Sequence, residues 1–196
     1  MQDGDFKVEI RELGRKDIPH VVSIGRHQLG LDYISSTDFL EALSEPGRFC
    51  IVAQEGRRDF AGFALCREFG PEDVPEELAL PEGPENDRVC SAKKIGLLDA
   101  VAVETHAARH GVGTQLCRAA VDRFIEDGCD LLVSMAWVHV DGKEPIKKAL
   151  LANGFERTSL QIPGYWNLWV DSEDGHLCPV CGHPCKCSAA LWIKSL

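Results

Sequence analysis

The sequence predicts an α/β (α+β) fold over residues 1–170, followed by a small cysteine-rich unit at 171–196. The first observation is the stretch 95–124, IGLLDAVAVETHAARHGVGTQLCRAAVDRF, which has the pattern of a buried strand, a glycine turn and an amphipathic helix. The second is that strand-like and helix-like segments alternate on both sides of it. The third is that four of the nine cysteines lie close together near residue 180.

The other elements follow from apolar periodicity and from capping and turn residues. Before the central stretch, the pattern predicts a strand at 6–13, a helix from Asp17 to about 27, a short helix at 38–44 capped by Thr37, and hairpin strands at 49–54 and 60–69. After it, the pattern predicts a strand at 131–138, a short helix opened by Pro145 and ended by Asn153-Gly154, and a closing hairpin of 156–162 and 165–170.

The glycine turn at 111–113 predicts a cradle for an anionic ligand. Neither glycine has a Cβ, so the backbone can come close to a ligand. The following helix start presents unpaired N–H groups and the positive end of the helix dipole. A dinucleotide fingerprint would need glycine at Leu116, and a nucleoside-triphosphate loop would need Lys-Ser/Thr where Thr114 and Gln115 stand. The alternative is an ordinary strand–turn–helix with no ligand.

This loop resembles the coenzyme A loop of the GNAT N-acetyltransferase superfamily. There, a strand ending in Val-x-Pro leads through Arg-x-x-Gly-x-Gly into a helix. Residues 103–105 (VET) and 108–113 (ARHGVG) occupy these positions here, with Thr105 in place of the proline and Ala108 in place of the arginine. The predicted order of elements is also that of the family. The resemblance implies a mixed, mostly antiparallel sheet flanked by helices, acetyl-CoA as the cofactor and an amine as the acceptor.

The resemblance also implies roles for particular residues. It assigns coenzyme binding to Val101, Ala102, Val103, Arg109, His110, Gly111, Val112, Gly113 and Thr114. Backbone N–H groups at 101–103 would stabilise the oxyanion, and the strand 131–138 would diverge from the central strand. Glu104, beside the thioester position, is the first candidate for the general base, ahead of His106 and His139. The tyrosine that protonates the leaving thiolate in the family is Leu150 here, and Tyr165 is its predicted substitute.

Residues 70–92 are an insertion relative to the family. The part 70–88 contains four prolines and seven acidic residues, which predicts an irregular acidic loop. It would lie near the entrance for the acceptor, where its charge could attract an amine. The alternative is a solvated excursion without a role.

The sequence Cys-Pro-Val-Cys-Gly at 178–182 resembles the knuckle of rubredoxin-like and zinc-ribbon sites. With two further cysteines, the segment offers four sulfur ligands, enough for a closed tetrahedral shell. We predict a structural zinc site formed by Cys178, Cys181, Cys185 and Cys187, and we favour zinc over iron. Replacement of one cysteine by His176 or His183, or metal-free thiols, are the alternatives.

Composition narrows the function classes. The formal net charge of −10 disfavours unspecific binding to nucleic acid or to anionic membranes. No stretch approaches the roughly 18 apolar residues needed to span a bilayer, and no signal-peptide pattern is present, so we expect a cytoplasmic protein.

The sequence therefore predicts an acetyl-CoA-dependent N-acetyltransferase that works by direct attack of an amine in a ternary complex. A non-catalytic acyl-CoA sensor that presents the knuckle, and a redox module built on the tail thiols, are the alternatives. A homodimer is left open.

Overall fold

The computed structural model describes residues 6–31, 33–56, 59–169 and 177–196, and seven strands within these residues form one mixed sheet. The strands are β1 (Glu9–Glu12), β2 (Arg48–Glu55), β3 (Asp59–Phe69), β4 (Ile95–Val103), β5 (Leu131–Val138), β6 (Glu156–Pro163) and β7 (Ser188–Ser195). Their order in the sheet is β1-β2-β3-β4-β5-β7-β6. β4 and β5 pair in parallel, and the five other strand pairs within these residues are antiparallel, which confirms the predicted sheet.

Helices cover both faces of the sheet. The helices are α1 (Ile18–Gln28), α2 (Ser36–Ser44), α3 (Val74–Leu78), α4 (Pro84–Cys90), α5 (Val112–Glu126) and α6 (Lys147–Ala152). One face packs against α5 and α6. The opposite face packs against α1 and α2 over β2 to β4, and against α3, α4 and the cysteine-rich segment over β4 to β7. Within the described part of the chain, no helix is long and apolar enough to cross a membrane.

Burial on both faces explains the nearly continuous apolar strands. In β3, Phe63 and Leu65 face α1 and α2, whereas Ala64 and Cys66 face α5. In β5, Val133 and Met135 face the cysteine-rich segment, whereas Leu132 and Ala136 face α5. A strand that is covered twice needs apolar residues at every position, so strict alternation is lost.

The second helix begins earlier than predicted. Its N-cap is Ser35 rather than Thr37, because the Ser35 hydroxyl accepts a hydrogen bond from the Thr37 backbone N–H at 3.2 Å. The Asp38 carboxylate accepts in return from the Ser35 backbone N–H at 2.8 Å. This reciprocal pair is a capping box, which satisfies two donors at the helix start.

The acidic insertion is not irregular, so that prediction is wrong. It folds into a 3-10 turn, α3 and α4. Val74, Leu78 and Val89 are fully buried against the sheet, and this burial holds the short helices in place. Prolines open both helices, where a missing N–H costs nothing. Most acidic residues of this ordered segment are exposed, whereas Glu77 is largely buried and forms an ion pair with Arg67.

The closing hairpin also differs from the prediction. Tyr165–Trp169 form a 3-10 helix instead of a strand, and residue 170 lies outside the described residues. The partner of β6 is β7, which inserts between β5 and β6. The β7 segment is apolar and buried on both faces, as a central strand requires. The cysteine-rich segment thus lies in the connection between β6 and β7. Residues 188–195, which were predicted to belong to a separate unit at 171–196, are part of the main sheet.

Candidate active site

β4 and β5 pair over a short stretch and then diverge. Their parallel pairing runs from Ile95↔Leu131 to Leu97↔Val133. At the next position the Ser134 hydroxyl donates to the Leu98 carbonyl at 3.0 Å, which marks the apex of a wedge. Beyond it, the edge of β4 that faces β5 has no strand partner among the described residues. Backbone donors and acceptors on this edge are therefore available to an extended ligand.

A β-bulge lies at the apex of the wedge. Leu65 pairs with Ala100 and Cys66 pairs with Leu98, which leaves Asp99 as the extra residue of β4. Bulges re-aim side chains and are frequent next to active sites. Here the bulge places Asp99 in the wall of the cavity described below.

The wide end of the wedge meets the start of α5. Gly111 is the N-cap in the left-handed region (φ 78°), and the first helical bond runs from the Gln115 N–H to the Gly111 carbonyl at 3.0 Å. The N–H groups of Val112, Gly113 and Thr114 thus precede the helical hydrogen-bond ladder at the positive end of the dipole. A Cβ added at Gly113 would meet only Val103 Cγ2, at 3.6 Å, so the space beside this glycine is open.

One cavity of about 730 Å³ connects the wedge with this helix start. Eight of the nine residues predicted to bind coenzyme line it: Val101, Ala102, Val103, Arg109, Gly111, Val112, Gly113 and Thr114. The ninth, His110, lies outside this lining and stacks on Phe6 with ring centroids 4.5 Å apart. Lys148 of α6 also lines the cavity, so two cationic side chains, Arg109 and Lys148, accompany the free N–H groups.

Asp99 is held by an arginine at the inner end of the cavity. Its Oδ2 accepts from Arg67 Nε at 3.0 Å and from Nη2 at 2.7 Å, while Arg67 Nη1 donates to Glu77 Oε2 at 2.7 Å. Burial opposes the positive charge, but the two carboxylates prevail and raise the pKa of the Arg67 guanidinium. Asp99 also lines an adjoining cavity of about 180 Å³, so this side chain belongs to the walls of both cavities. Asp99 was not predicted as a site residue, although a single carboxylate within a buried apolar strand is a signal for one.

Two of the three predicted bases lie outside the cavity lining. The Glu104 carboxylate faces α1, with Oε1 3.8 Å from His27 Nδ1 and Oε2 3.5 Å from Gln28 Nε2. His106 is exposed, with Nε2 3.6 Å from Glu55 Oε2. The neighbours of Glu104, His27 and Gln28, themselves line the cavity, whereas Glu55, the neighbour of His106, does not.

His139, the third candidate, lines the cavity. Its Nε2 is buried and has no hydrogen-bond partner among the described residues. Its ring packs against Trp137 with centroids 4.3 Å apart. Burial lowers the pKa of His139 below the ordinary value of 6.5, against the opposing charge of Asp141 and with the help of Lys143. The imidazole is therefore neutral at pH 7 and can accept a proton or a hydrogen bond.

The chain matches a known protein family over most of its length. The model of the acetyltransferase (GNAT) family matches residues 11–155. The chain belongs to this family. The matched region includes the wedge, the bulge, the glycine turn and His139, so the whole of the cavity wall contributed by β4, α5 and β5 lies within it.

Solved GNAT structures share the fold at low sequence identity. The ribosomal-protein-alanine N-acetyltransferase from Brucella melitensis has a TM-score of 0.64 at 15% identity, over 96% of this chain and 99% of that one. The mosquito arylalkylamine N-acetyltransferase like 5b has a TM-score of 0.63 at 15% identity, over 97% and 100%. A chain of the NatC complex bound to Gag peptide and CoA has 0.62 at 15%, over 97% and 99%. No curated protein matches the sequence significantly.

Neither Leu150 nor its predicted substitute Tyr165 lines the main cavity. Leu150 is fully buried against α5. Tyr165 is buried, its hydroxyl donates to the Leu78 carbonyl at 2.9 Å, and it lines the smaller cavity rather than the main one. Tyr33, which sequence analysis did not single out, lines both cavities. Burial and the nearby Asp99 raise its pKa well above 10, so its hydroxyl stays protonated.

The four cysteines of the knuckle converge on one point. Their Sγ atoms all lie within 4.8 Å of one another, and the shorter separations are 3.7 Å for Cys181–Cys185 and Cys181–Cys187 and 4.0 Å for Cys178–Cys187. A tetrahedral zinc with bonds of about 2.3 Å separates its sulfur ligands by about 3.8 Å, so the cluster fits this ion. The Lys186 N–H donates to Cys181 Sγ at 3.1 Å. His183 is exposed and outside the cluster, and His176 lies outside the described residues.

Proposed function

We propose that this protein transfers the acetyl group of acetyl-CoA to a primary amine. One observation carries the proposal: a single cavity joins the unpaired edge of β4 to the open start of α5. Such a site offers backbone pairing for an extended arm and N–H groups for phosphates within one continuous space. Family membership and the CoA named for the NatC neighbour support the choice of coenzyme.

The proposed binding mode uses groups that line the cavity. The N–H groups of Val112, Gly113 and Thr114 would bind the pyrophosphate, aided by the positive charge of Arg109 and Lys148. The pantetheine arm would pair with the free edge of β4 at 101–103. The thioester would then lie near the bulge, where the wedge narrows.

The proposed chemistry assigns three side chains to proton and charge handling. Asp99 attracts the ammonium form of the acceptor to the inner end of the cavity. His139 accepts the proton that the amine loses as its nitrogen bonds to the acetyl carbon, and the carbon–sulfur bond breaks to release the thiolate. Tyr33 can donate a hydrogen bond to the departing thiolate, which then takes its proton from water, because the raised pKa of Tyr33 makes its hydroxyl a weaker acid than a thiol. We favour His139 over Glu104 as the base, because the Glu104 carboxylate faces α1 and lies outside the cavity lining.

Calorimetric titration with acetyl-CoA and with CoA tests the proposal. We expect micromolar binding of both, because both carry the pantetheine and pyrophosphate groups. Thiol release should then be assayed with tryptamine, agmatine and a peptide with a free N-terminal alanine. Absence of coenzyme binding would contradict the proposal. Tight binding without thiol release from any of the three amines would favour the sensor alternative.

We also propose that the four cysteines bind a structural zinc ion. Four thiolates form a closed shell without an open position, so this metal would serve folding rather than catalysis. The site would connect β6 to β7 at the edge of the active-site cavity. Its contribution to stability comes from binding the folded chain and not the unfolded one.

The zinc proposal predicts about one zinc per chain in protein purified under reducing conditions. Cys187→Ser should lose most of the metal and lower Tm by at least about 5 °C, equivalent to roughly 2 kcal/mol for a chain of this size. The control is Cys90→Ser, because Cys90 is outside the cluster. Elemental analysis and thermal unfolding provide the measurements. A metal-free wild-type protein, or equal metal contents in the two variants, would refute the site.

A further inference from the structure

The cysteine-rich segment reaches the active-site cavity. Pro179 and Val180, which lie between the first two cysteines, line the same cavity as the glycine turn. They approach from the sheet face that carries Met135 and Trp137, opposite the face covered by α5. The knuckle therefore forms part of the wall on the side away from the α5 core.

The connection between α1 and α2 forms another part of the cavity wall, on the same face of the sheet as the knuckle. Leu29 and Tyr33 from this connection line the cavity. An isolated antiparallel bridge between Leu31 and Leu177 joins the connection to the beginning of the knuckle. The two segments thus meet at the rim of the cavity, and each limits where the other can move.

Cys178 and Cys181 flank the turn that forms this wall, and both belong to the four-cysteine cluster. Asn167 donates to the Cys185 carbonyl at 2.8 Å and accepts from the Cys185 N–H at 2.9 Å, which ties the knuckle to the 3-10 helix after β6. The neighbouring Trp166 lines the cavity and donates to the Ser188 carbonyl at 3.0 Å. Loss of the metal would release Cys178 and Cys181, and with them the turn that carries Pro179 and Val180.

The space between the two walls is apolar and aromatic. The side chains around it are Tyr33, Met135, Trp137, Trp166, Pro179 and Val180. Asp99 supplies a carboxylate at the inner end, where Asp99 and Glu77 together outweigh the single positive charge of Arg67. A carboxylate behind an aromatic enclosure suits a primary ammonium group carried on an apolar or aromatic body. An acceptor with a second cationic group at its far end would fit this site poorly.

We propose that the metal-organised knuckle is the outer wall of the acceptor site, and that the acceptor is a primary amine on an apolar or aromatic group. The acceptor part rests on the proposed acetyl transfer. Metal occupancy should then be needed for acceptor binding, whereas coenzyme binding at the start of α5 should not depend on it. The wall itself can be tested without turnover.

Hydrogen exchange of the full chain, zinc-loaded and after chelation under reducing conditions, tests the wall. We expect chelation to accelerate exchange by at least about tenfold both at 177–187 and at 29–35, a segment with no cysteine ligand that the Leu31–Leu177 bridge connects to the knuckle. Exchange in α5 should stay unchanged. Acceleration confined to 177–187 would overturn the proposal, as would zinc-independent exchange in both segments. This result does not depend on whether acetyl-CoA binds.

Calorimetric titration of the CoA complex with tryptamine and with agmatine tests the acceptor class. We expect tryptamine to bind at least tenfold more tightly than agmatine. Val180→Trp should weaken tryptamine binding at least tenfold by filling the space, and leave the CoA affinity within twofold. The matched control is Ile125→Trp, because Ile125 is 50% exposed on α5 and outside the cavity lining. Tighter binding of agmatine, or an unchanged tryptamine affinity in Val180→Trp, would overturn the proposal.

Discussion

Gly113→Val is expected to lower acetyl-CoA affinity by at least about 100-fold while the chain stays folded. The residue lies in the first turn of α5, where the N–H groups proposed to bind pyrophosphate are found. A Cβ there meets only Val103 Cγ2 at 3.6 Å, an ordinary contact, so the protein has room for the new side chain. That room is the space proposed for the ligand, and a branched side chain would keep phosphate oxygens from the backbone donors.

The experiment compares Gly113→Val with Gln115→Val. Gln115 is exposed, lies in the same helical turn and does not line the cavity, so valine there controls for the helix propensity of a β-branched residue. Calorimetry gives the coenzyme affinity, and thermal unfolding should place both variants within about 3 °C of the parent protein, equivalent to roughly 1 kcal/mol. A folded Gly113→Val variant with unchanged affinity would show that the glycine turn is not the coenzyme cradle.

The sequence predicted those parts of the fold that depend on local patterns. The bounds of β5 were predicted correctly at 131–138, because an apolar run between turn residues identifies a buried strand. The β7 strand was not assigned to the sheet, because its place between β5 and β6 depends on pairing with residues more than twenty positions away. In the acidic insertion, charge and proline content obscured the buried apolar residues that make α3 and α4 ordered.

The residues of the candidate site also divide into those predicted from local patterns and those that only the tertiary fold brings together. The glycine turn and the cysteine cluster are coded by spacing within about ten residues, and both were identified from the sequence. Asp99 stands out in the sequence as a carboxylate within an apolar strand, but its place in the site depends on a bulge in the pairing of β3 and β4, which is a tertiary feature. Tyr33, Trp166 and Val180 line one cavity although they come from three separate parts of the chain. Such convergence depends on the tertiary fold.

His139→Gln is expected to lower kcat by about 100-fold, the usual scale for removal of a general base. Burial lowers the pKa of His139 below 6.5, so the parent enzyme should hold a neutral imidazole at pH 6.5 and above, and lose activity as the pH falls below 6.5 through the lowered pKa. In the variant, this acid limb of the kcat profile should disappear, because glutamine does not titrate. The measurement is thiol release from acetyl-CoA with a saturating amine, between about pH 5 and pH 8.

The matched control is His106→Gln, because His106 is an exposed histidine outside the cavity lining. It should retain the parental rate and the parental acid limb. Acetyl-CoA affinity should stay within about threefold in both variants, since the proposed coenzyme contacts come from β4, α5 and α6. If His139→Gln keeps both its rate and its acid limb, His139 is not the general base, and Glu104 becomes the first candidate again. Glu104→Gln should then be the variant in which the acid limb of the pH profile disappears.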